Sequence, residues 1–447
     1  MTRTGSLYKR LKIIPLTAVI FLTVSGGPYG LEPLLTYGGQ HGALLLLLLT
    51  PLLWDIPTIF MVMELNSMMP VTGGYYQWVK RALGIRWAWY EGWWTWLYTF
   101  VDLAIYPVLF VAYASFLFPE IAHYKIPICL IIIWASAGFN ILGIVPVGRI
   151  SMVLSAAVVI PFFILFAIHL SHHGTSLQLP NLSLKGVGFS SLGMGLYAVM
   201  WNFIGWDNIT TYAGEVNKPV RTYLVSILIA FGLTLTVYSI AVTTALSSGI
   251  DLSILNEKGF PALGAVVGGK WLAMTIAAGG MASTLGLFSA VLLSISRIPQ
   301  AMAADGLLLK KLHILHRKFQ TPYRSIIISA AIVSVMILWT FGDLLIIDIT
   351  LYGGALFLEF ISLIKFRIKL PKEKRPFKIP LNVAGLCVLM LLPFGVYSVA
   401  LSSAFSVESK MLSPALFALG ALLSAELIWR IMVWRRPGLK NKEDLLR

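Results

Sequence analysis

The sequence predicts an all-α membrane protein of twelve transmembrane helices. Ten of them form two five-helix repeats of opposite orientation (5+5), and helices 1 and 6, which open the repeats, are broken near their middles. Three observations predict it. The 447 residues are 58% hydrophobic and 12% charged, with a mean hydropathy of +0.82. The apolar residues gather into twelve runs, each long enough to cross a bilayer. Two of these runs carry helix-breaking residues at matching places in the two halves of the chain.

A soluble protein of this size would carry roughly 25% charged residues, so the composition alone excludes a soluble globular domain. The net charge of +15 would suit a polyanionic partner, but its placement argues otherwise. Of the 34 Lys and Arg, 29 fall in the N-terminus, alternate loops and the C-terminus. Only Lys125, Lys185, Lys258, Lys270 and Lys410 lie on the opposite side. This is the positive-inside asymmetry of a multi-pass protein, and no nucleic acid is needed to explain it. Cys129 and Cys387 both sit inside apolar runs and form neither a metal motif nor an expected disulfide. The first run follows a basic start but has no small-residue cleavage site, which predicts a retained span rather than a signal peptide.

At ~1.5 Å per residue and a hydrocarbon core of ~30 Å, the runs fall near 13–38, 42–64, 89–118, 126–144, 147–170, 189–214, 222–246, 265–297, 325–341, 344–365, 382–404 and 411–434. Placing both termini in the cytoplasm puts Lys80, Arg81 and Arg86, the Lys310–Lys318 cluster and the stretch from Lys365 to Lys378 inside. The resulting organisation is a cytoplasmic N-terminus (1–12), a first repeat (13–170), an inverted second repeat (189–368), accessory helices 11 and 12 (382–434) and a cytoplasmic tail (435–447). The half-polar, aromatic segment from Glu64 to Val79 suits a re-entrant or interfacial element.

The breaks are Ser25-Gly26-Gly27-Pro28-Tyr29-Gly30-Leu31-Glu32 in the first run and Trp201-Asn202-Phe203-Ile204-Gly205-Trp206-Asp207 in the sixth. Gly and Pro interrupt the i→i−4 ladder and free backbone N–H and C=O groups. In lipid such groups survive only where protein or a watery cavity satisfies them. Two breaks at corresponding depths therefore predict a binding site between them, the arrangement expected of a secondary transporter.

These residues resemble the amino acid–polyamine–organocation transporters. The match rests on the first break, the Glu64…Pro70…Gly73-Gly74-Tyr75 segment, Gly214-Glu215-Val216-Asn217-Lys218-Pro219, and Ser296-Arg297 with Ala303-Ala304-Asp305-Gly306. The first break and Asp102-Leu103-Ala104-Ile105-Tyr106-Pro107-Val108-Leu109-Phe110 are similar to the polyamine:proton symporter branch, which includes plant polyamine uptake transporters. The resemblance spans roughly residues 10–370. It implies the LeuT-type fold, with substrate held between helices 1 and 6 and helices 3, 8 and 10. Two carboxylates of the plant pattern are missing: Thr58 follows Ile56-Pro57, with Asp55 just before, and Ser289 stands in helix 8. The lysine that some members carry in helix 5 is absent too, since Arg149 lies at that helix's start.

The candidate substrate-binding residues are Ser25, Gly26, Gly27, Tyr29, Gly30, Glu32, Asp102, Trp201, Asn202, Gly205, Trp206 and Asp207. Backbone N–H groups around Gly26, Gly27 and Gly30 would dock an α-carboxylate at a helix N-terminus; the plain alternative is that these glycines serve close packing. Glu32 and Asp207 each open the half-helix after a break, where an acid is also a good N-cap. Asp102 and Asp55 lie deep in runs three and two. Intramembrane acids are costly and point to function, which makes Asp207, Glu32, Asp55 and Asp102 the proton-coupling candidates, Asp207 first. Glu64, Glu91 and Glu215 are placed near the cytoplasmic surface, in gating or salt-bridge roles. Aromatic residues Tyr29, Trp94, Trp201 and Trp206 offer an ammonium cage, of which Trp201 and Trp206 are the favoured pair. Ser283, Thr284 and Ser289 would supply oxygens to a sodium site, but hydroxyls in membrane helices more often bond their own backbone.

No catalytic set, metal site or cofactor is expected. His169, His172 and His173 share helical spacing at an external helix end, and Gly264–Trp271 mimics a phosphate loop but has Trp271 where Ser or Thr belongs. Asn181-Leu182-Ser183 is a sequon in an external loop. The sequence thus predicts a plasma-membrane permease (inner membrane in a bacterium) for amino acids or polyamines, taken up with protons. Sodium coupling or exchange is the alternative within transport. A channel or a non-transporting nutrient receptor is the alternative from another class, but a channel would need a continuous polar face and a receptor a soluble signalling domain.

Overall fold

The computed structural model describes residues 12–71, 73–142, 149–173, 182–208, 210, 219–295, 297–319, 321–406 and 413–436. Among these, all regular structure is helical. Nine helical segments among the described residues are long and apolar enough to cross a membrane, which agrees with a chain whose backbone polar groups must be satisfied within each segment.

The first break falls where its glycines and proline stand. Helix α1 (Ile13–Val24) stops at the centre, and α2 (Glu32–Thr50) resumes at Glu32 with Pro33 in its first turn. The chain bends again at Gly39 (φ 63°), so only a short arm of α2 completes the first span before the second begins. A π-turn over Pro51–Asp55 leads into α3 (Ile56–Met68). Pro57 lacks an N–H and its ring crowds the carbonyl four residues back, which accounts for the widened turn. Helix α4 (Gly74–Leu83) then buries Tyr75, Tyr76, Trp78 and Val79 against the bundle rather than lying free at an interface.

The long α5 (Ile85–Leu117) runs through the middle of the molecule, followed by α6 (Lys125–Ile141) and α7 (Arg149–His173). Helix α8 (Phe189–Asn202) ends at the second break. The helical half expected after that break lies outside the described residues. Next come α9 (Pro219–Ser247), the short α10 (Leu252–Lys258) capped by Asp251, and α11 (Phe260–Ile295). Helix α11 bends at Gly269 (φ 76°), so the eighth run begins as a separate helical arm five residues before its expected start, and the phosphate-loop mimic is helical on both sides of the bend. The chain closes with α12 (Arg297–Ala304), α13 (Tyr323–Met336), α14 (Phe341–Lys369), α15 (Val383–Ala404) and α16 (Pro414–Arg435).

Burial separates centre from rim. The most apolar window of α14 is 83% buried and that of α5 72%, against 17% for α16 and 28% for α15. Helix α5 packs against both α11 and α14, with α1 against α11 and α8 against α14, while α15 and α16 turn large apolar side chains such as Val388, Leu391, Leu423 and Trp434 outward. One buried ion pair pins the far end of α14. The Arg367 guanidinium donates to both oxygens of Glu64 at 2.5 and 2.7 Å, Arg375 adds its charge at 3.3 Å, and the Ile379 amide donates at 2.9 Å.

Candidate functional site

The two breaks are held together by hydrogen bonds from neighbouring helices. The Tyr238 hydroxyl of α9 donates to the Asn202 carbonyl at 2.8 Å and stands 2.8 Å from Ser25 Oγ. Ser283 of α11 donates to the Gly26 carbonyl. The Gly27 amide donates to Ser25 Oγ at 3.0 Å, and the Gly30 amide to Glu32 Oε2 at 2.7 Å. Two glycines are required by geometry. Gly30 (φ 87°) lies where a Cβ would stand 2.6 Å from the Trp201 ring, and Gly205 (φ 97°) turns the second break in a left-handed conformation that L side chains avoid.

Helices α1 and α8 both end at the centre, so two C-termini with their negative dipole ends converge there. Asp102 of α5 faces them. It accepts the Trp201 indole N–H at 3.1 Å and the Tyr106 hydroxyl at 2.8–2.9 Å, and Phe341 packs edge-on to Trp201 at 5.9 Å between centroids. A cavity opens between Asp102, Trp201, Ser25, Asn202 and Gly205. It measures about 10 Å³, room for about one water, so a solute enters only as the lining parts. Its electrostatics favour a cation: a carboxylate, an aromatic face and the ends of two helices. The amides that an anion would use are already engaged within the break.

Of the sequence-predicted residues, Ser25, Asp102, Trp201, Asn202 and Gly205 meet at this cavity, with Gly26, Gly27 and Gly30 in the adjoining backbone. The other four, Tyr29, Glu32, Trp206 and Asp207, do not line it. Tyr29 packs against Tyr113 and Phe162 and donates to the Ile276 carbonyl at 2.8 Å. Trp206 turns away from Trp201, stacks near Phe231 and donates to Asp55 at 3.2 Å. Trp94 donates to the Leu422 carbonyl, so the four aromatics do not form one cage. Glu32 accepts from Tyr113 at 2.9 Å, Gly30 and the Phe260 amide at 3.3 Å, a clamp joining α2, α5 and α11. It borders a separate cavity of about 100 Å³ with Tyr113, Glu257 and Lys258. Asp207 accepts from the Tyr352 hydroxyl at 3.1 Å and lies on the side of α14 rather than in the cavity. Thr284 bonds its own helix at the Gly280 and Met281 carbonyls.

Sequence reasoning passed over two acids of α14. Asp348 is fully buried within electrostatic reach of Asp102 with neither oxygen meeting a donor among the described residues, and Glu359 is 1% exposed and equally without one. Their signal was the one used for Asp102: a carboxylate inside an apolar run, here the tenth. Glu91, expected near a surface, is instead fully buried and meets no cation among the described residues.

A helical, multi-pass chain in which α1 and α8 stop at a buried acidic centre fits a membrane permease rather than an enzyme. The amino acid permease family model matches residues 11–419, and the chain belongs to that family. It is 30% identical over 425 residues to the polyamine transporter RMV1 of Arabidopsis thaliana, covering 94% of this chain and 86% of that one. A probable polyamine transporter of the same plant is 34% identical over 395 residues, covering 86% and 80%. The polyamine transporter PUT1 of Oryza sativa subsp. japonica is 29% identical over 423 residues, covering 94% and 78%.

Proposed function

We propose that this permease is a proton-coupled carrier of an organic amine, a polyamine or an amino acid, working by alternating access. The observation that carries the reading is the centre of the molecule, where Asp102, an indole face and two helix C-termini converge without a basic side chain among the described residues. An ammonium group meets there a charge partner, a cation–π surface and carbonyl acceptors. Asp348 of α14, within electrostatic reach of Asp102, offers a second carboxylate, which makes up for the acids missing from helices 2 and 8 and favours a substrate with more than one amine. The polyamine transporters of Arabidopsis and rice support the same substrate class.

In this reading the chain has twelve spans in the LeuT-type 5+5 arrangement, both termini in the cytoplasm and the plasma membrane as its place. Helices α1 and α8 with the segments after their breaks pivot about the centre, and α5, α11 and α14 form its walls. Protons drive uptake, with Asp102, Asp207, Asp55 and Glu32 as titrating candidates; Glu32, filled by three donors, has the geometry of a clamp. The contact of Ser283 with the Gly26 carbonyl is the one feature that favours sodium coupling instead. A thermal-shift screen of the purified protein against amino acids and polyamines tests the substrate, since a ligand bound only to the native state raises the melting temperature by mass action. Stabilisation by spermidine or putrescine is expected. Stabilisation by neutral solutes alone would contradict the reading.

A further inference from the structure

Asp102 and Asp348 are one level of a two-level pattern. Glu91 precedes Asp102 by eleven residues on α5, and Glu359 follows Asp348 by eleven on α14, about 16 Å along each helix axis. The second level therefore also brings an α5 acid opposite an α14 acid, and Asp207 joins them from the second break. Glu359 stands against both Asp207 and Glu91. All three are buried, at 1%, 3% and 0% exposure. Glu91 accepts only from Thr95 at 3.4 Å and leaves its second oxygen without a donor, while Glu359, pointed into the group, has no donor on either oxygen. The titratable groups facing them are Tyr75 of α4, Tyr98 of α5 and Tyr352 of α14, together with Asp55 and Asp348 at longer range. Two other acids of the bundle do meet arginines: Glu64 with Arg367, and Glu426 with Arg86 and Arg430.

Three adjacent carboxyls in apolar surroundings, with no cation bonded to them among the described residues, cannot all be charged. A proton would supply the missing positive charge, and neither cavity described above is lined by any of the three. A proton needs no cavity. The link to the centre is also present: Asn208 lines the central cavity, and its Oδ1 accepts from the Tyr98 hydroxyl at 3.1 Å and lies 3.5 Å from that of Tyr75.

We propose that Glu91, Asp207 and Glu359 form the proton-binding site of the carrier, separate from the amine site, and that Tyr98 and Asn208 relay its state to the cavity. A proton taken from water by the cluster releases tyrosine hydroxyls from the carboxylates; losing it calls them back and shifts Asn208 at the cavity wall. This rests on the proton-coupled reading above, and the test separates the two.

Infrared difference spectra of the full-length protein in lipid, recorded between acidic and alkaline buffer, read the carbonyl band of protonated buried carboxylic acids without any substrate. The wild type is expected to show that band, and Glu359→Gln and Glu91→Gln each to diminish it. A band unchanged in both variants, or one abolished by sodium at constant pH, overturns the proposal. Radiolabelled spermidine in proteoliposomes supplies the second arm. Glu359→Gln is expected to lose at least tenfold in accumulation driven by a proton gradient, and Glu359→Asp, which still titrates, to recover it with a displaced pH profile. Wild-type accumulation and pH profile in Glu359→Gln would refute the cluster and leave proton coupling standing. A wild type indifferent to the gradient would refute coupling, while the infrared arm still decides whether the cluster binds protons.

Discussion

Trp201, the penultimate residue of α8, donates its indole N–H to Asp102 of α5 at 3.1 Å. The end of α8 is thereby tied to the acid that lines the central cavity, and the indole face and the carboxylate form one surface. Replacing Asp102 by Asn keeps the shape and an acceptor but removes the charge. Amine affinity is expected to fall more than tenfold, about 1.4 kcal/mol or greater, with folding retained. Isothermal titration of the purified variant with spermidine measures it, and unchanged affinity would place the amine elsewhere.

Tyr238 is expected to matter through its hydroxyl alone. Tyr238→Phe leaves the ring against Phe203 and removes the donor shared between Ser25 and Asn202. A loss of about 0.5–1.5 kcal/mol is the usual net value of such a bond, and uptake should fall further because both breaks lose their common anchor. Melting temperature and uptake, measured together, show whether the two effects separate.

Gly30→Ala meets two penalties: about 1–2 kcal/mol for an L residue at left-handed φ, and about 1–3 kcal/mol for a Cβ driven into the Trp201 ring. Gly39→Ala, also at positive φ but with open space around it, meets only the first. Uptake abolished in Gly30→Ala and preserved in Gly39→Ala is the expected result. Equal effects would mean that contact with Trp201 is irrelevant.

The breaks and the depth of Asp102 were legible because Gly, Pro and Asp are rare inside apolar runs and each has one dominant physical consequence. Partner choice was not. Whether Trp206 faces Trp201 or Asp55 depends on the backbone turn at Gly205 (φ 97°), which no spacing encodes. Asp207 ranks first among the acids expected to hold the amine or the coupling proton because it follows the second break, yet the same turn carries it past the cavity to Tyr352 and Glu359. Glu91 looked superficial because it is near the start of its run. The span in fact begins at Ile85, and α4 covers that end. Glu64 was read as a salt-bridged residue, and its arginine partners lie some 300 residues away in the chain, a distance over which sequence gives charge but not contact.

That ion pair yields a stability prediction. Arg367→Met leaves Glu64 buried with its main partner removed and should cost about 3–5 kcal/mol. The double variant Arg367→Met, Glu64→Leu is expected to recover part of the loss. Chemical unfolding in detergent measures both, and a double variant no better than the single one would mean that Arg375 and the Ile379 amide already hold Glu64 in place.

Asp251 provides a pH-dependent local contact. It accepts from the Ser253 amide at 3.0 Å and hydroxyl at 2.8 Å, and these bonds hold its carboxyl below the usual aspartate range. Because the folded value is depressed, the cap is present above the ordinary Asp pKa and is lost as pH falls through the folded one. Hydrogen exchange at the Ser253 amide should quicken on that acidification, and in Asp251→Ala it should be fast at every pH. Exchange in the wild type that ignores acidification would mean that the cap does not hold α10.

The most direct measurement of the central claim is uptake of radiolabelled spermidine by proteoliposomes of the purified protein, driven by an inward proton gradient in sodium-free buffer. The wild type should accumulate spermidine above equilibrium, collapse of the gradient should abolish this, and Asp102→Asn should reduce it more than tenfold. Accumulation that requires sodium, or full accumulation by Asp102→Asn, would contradict the account.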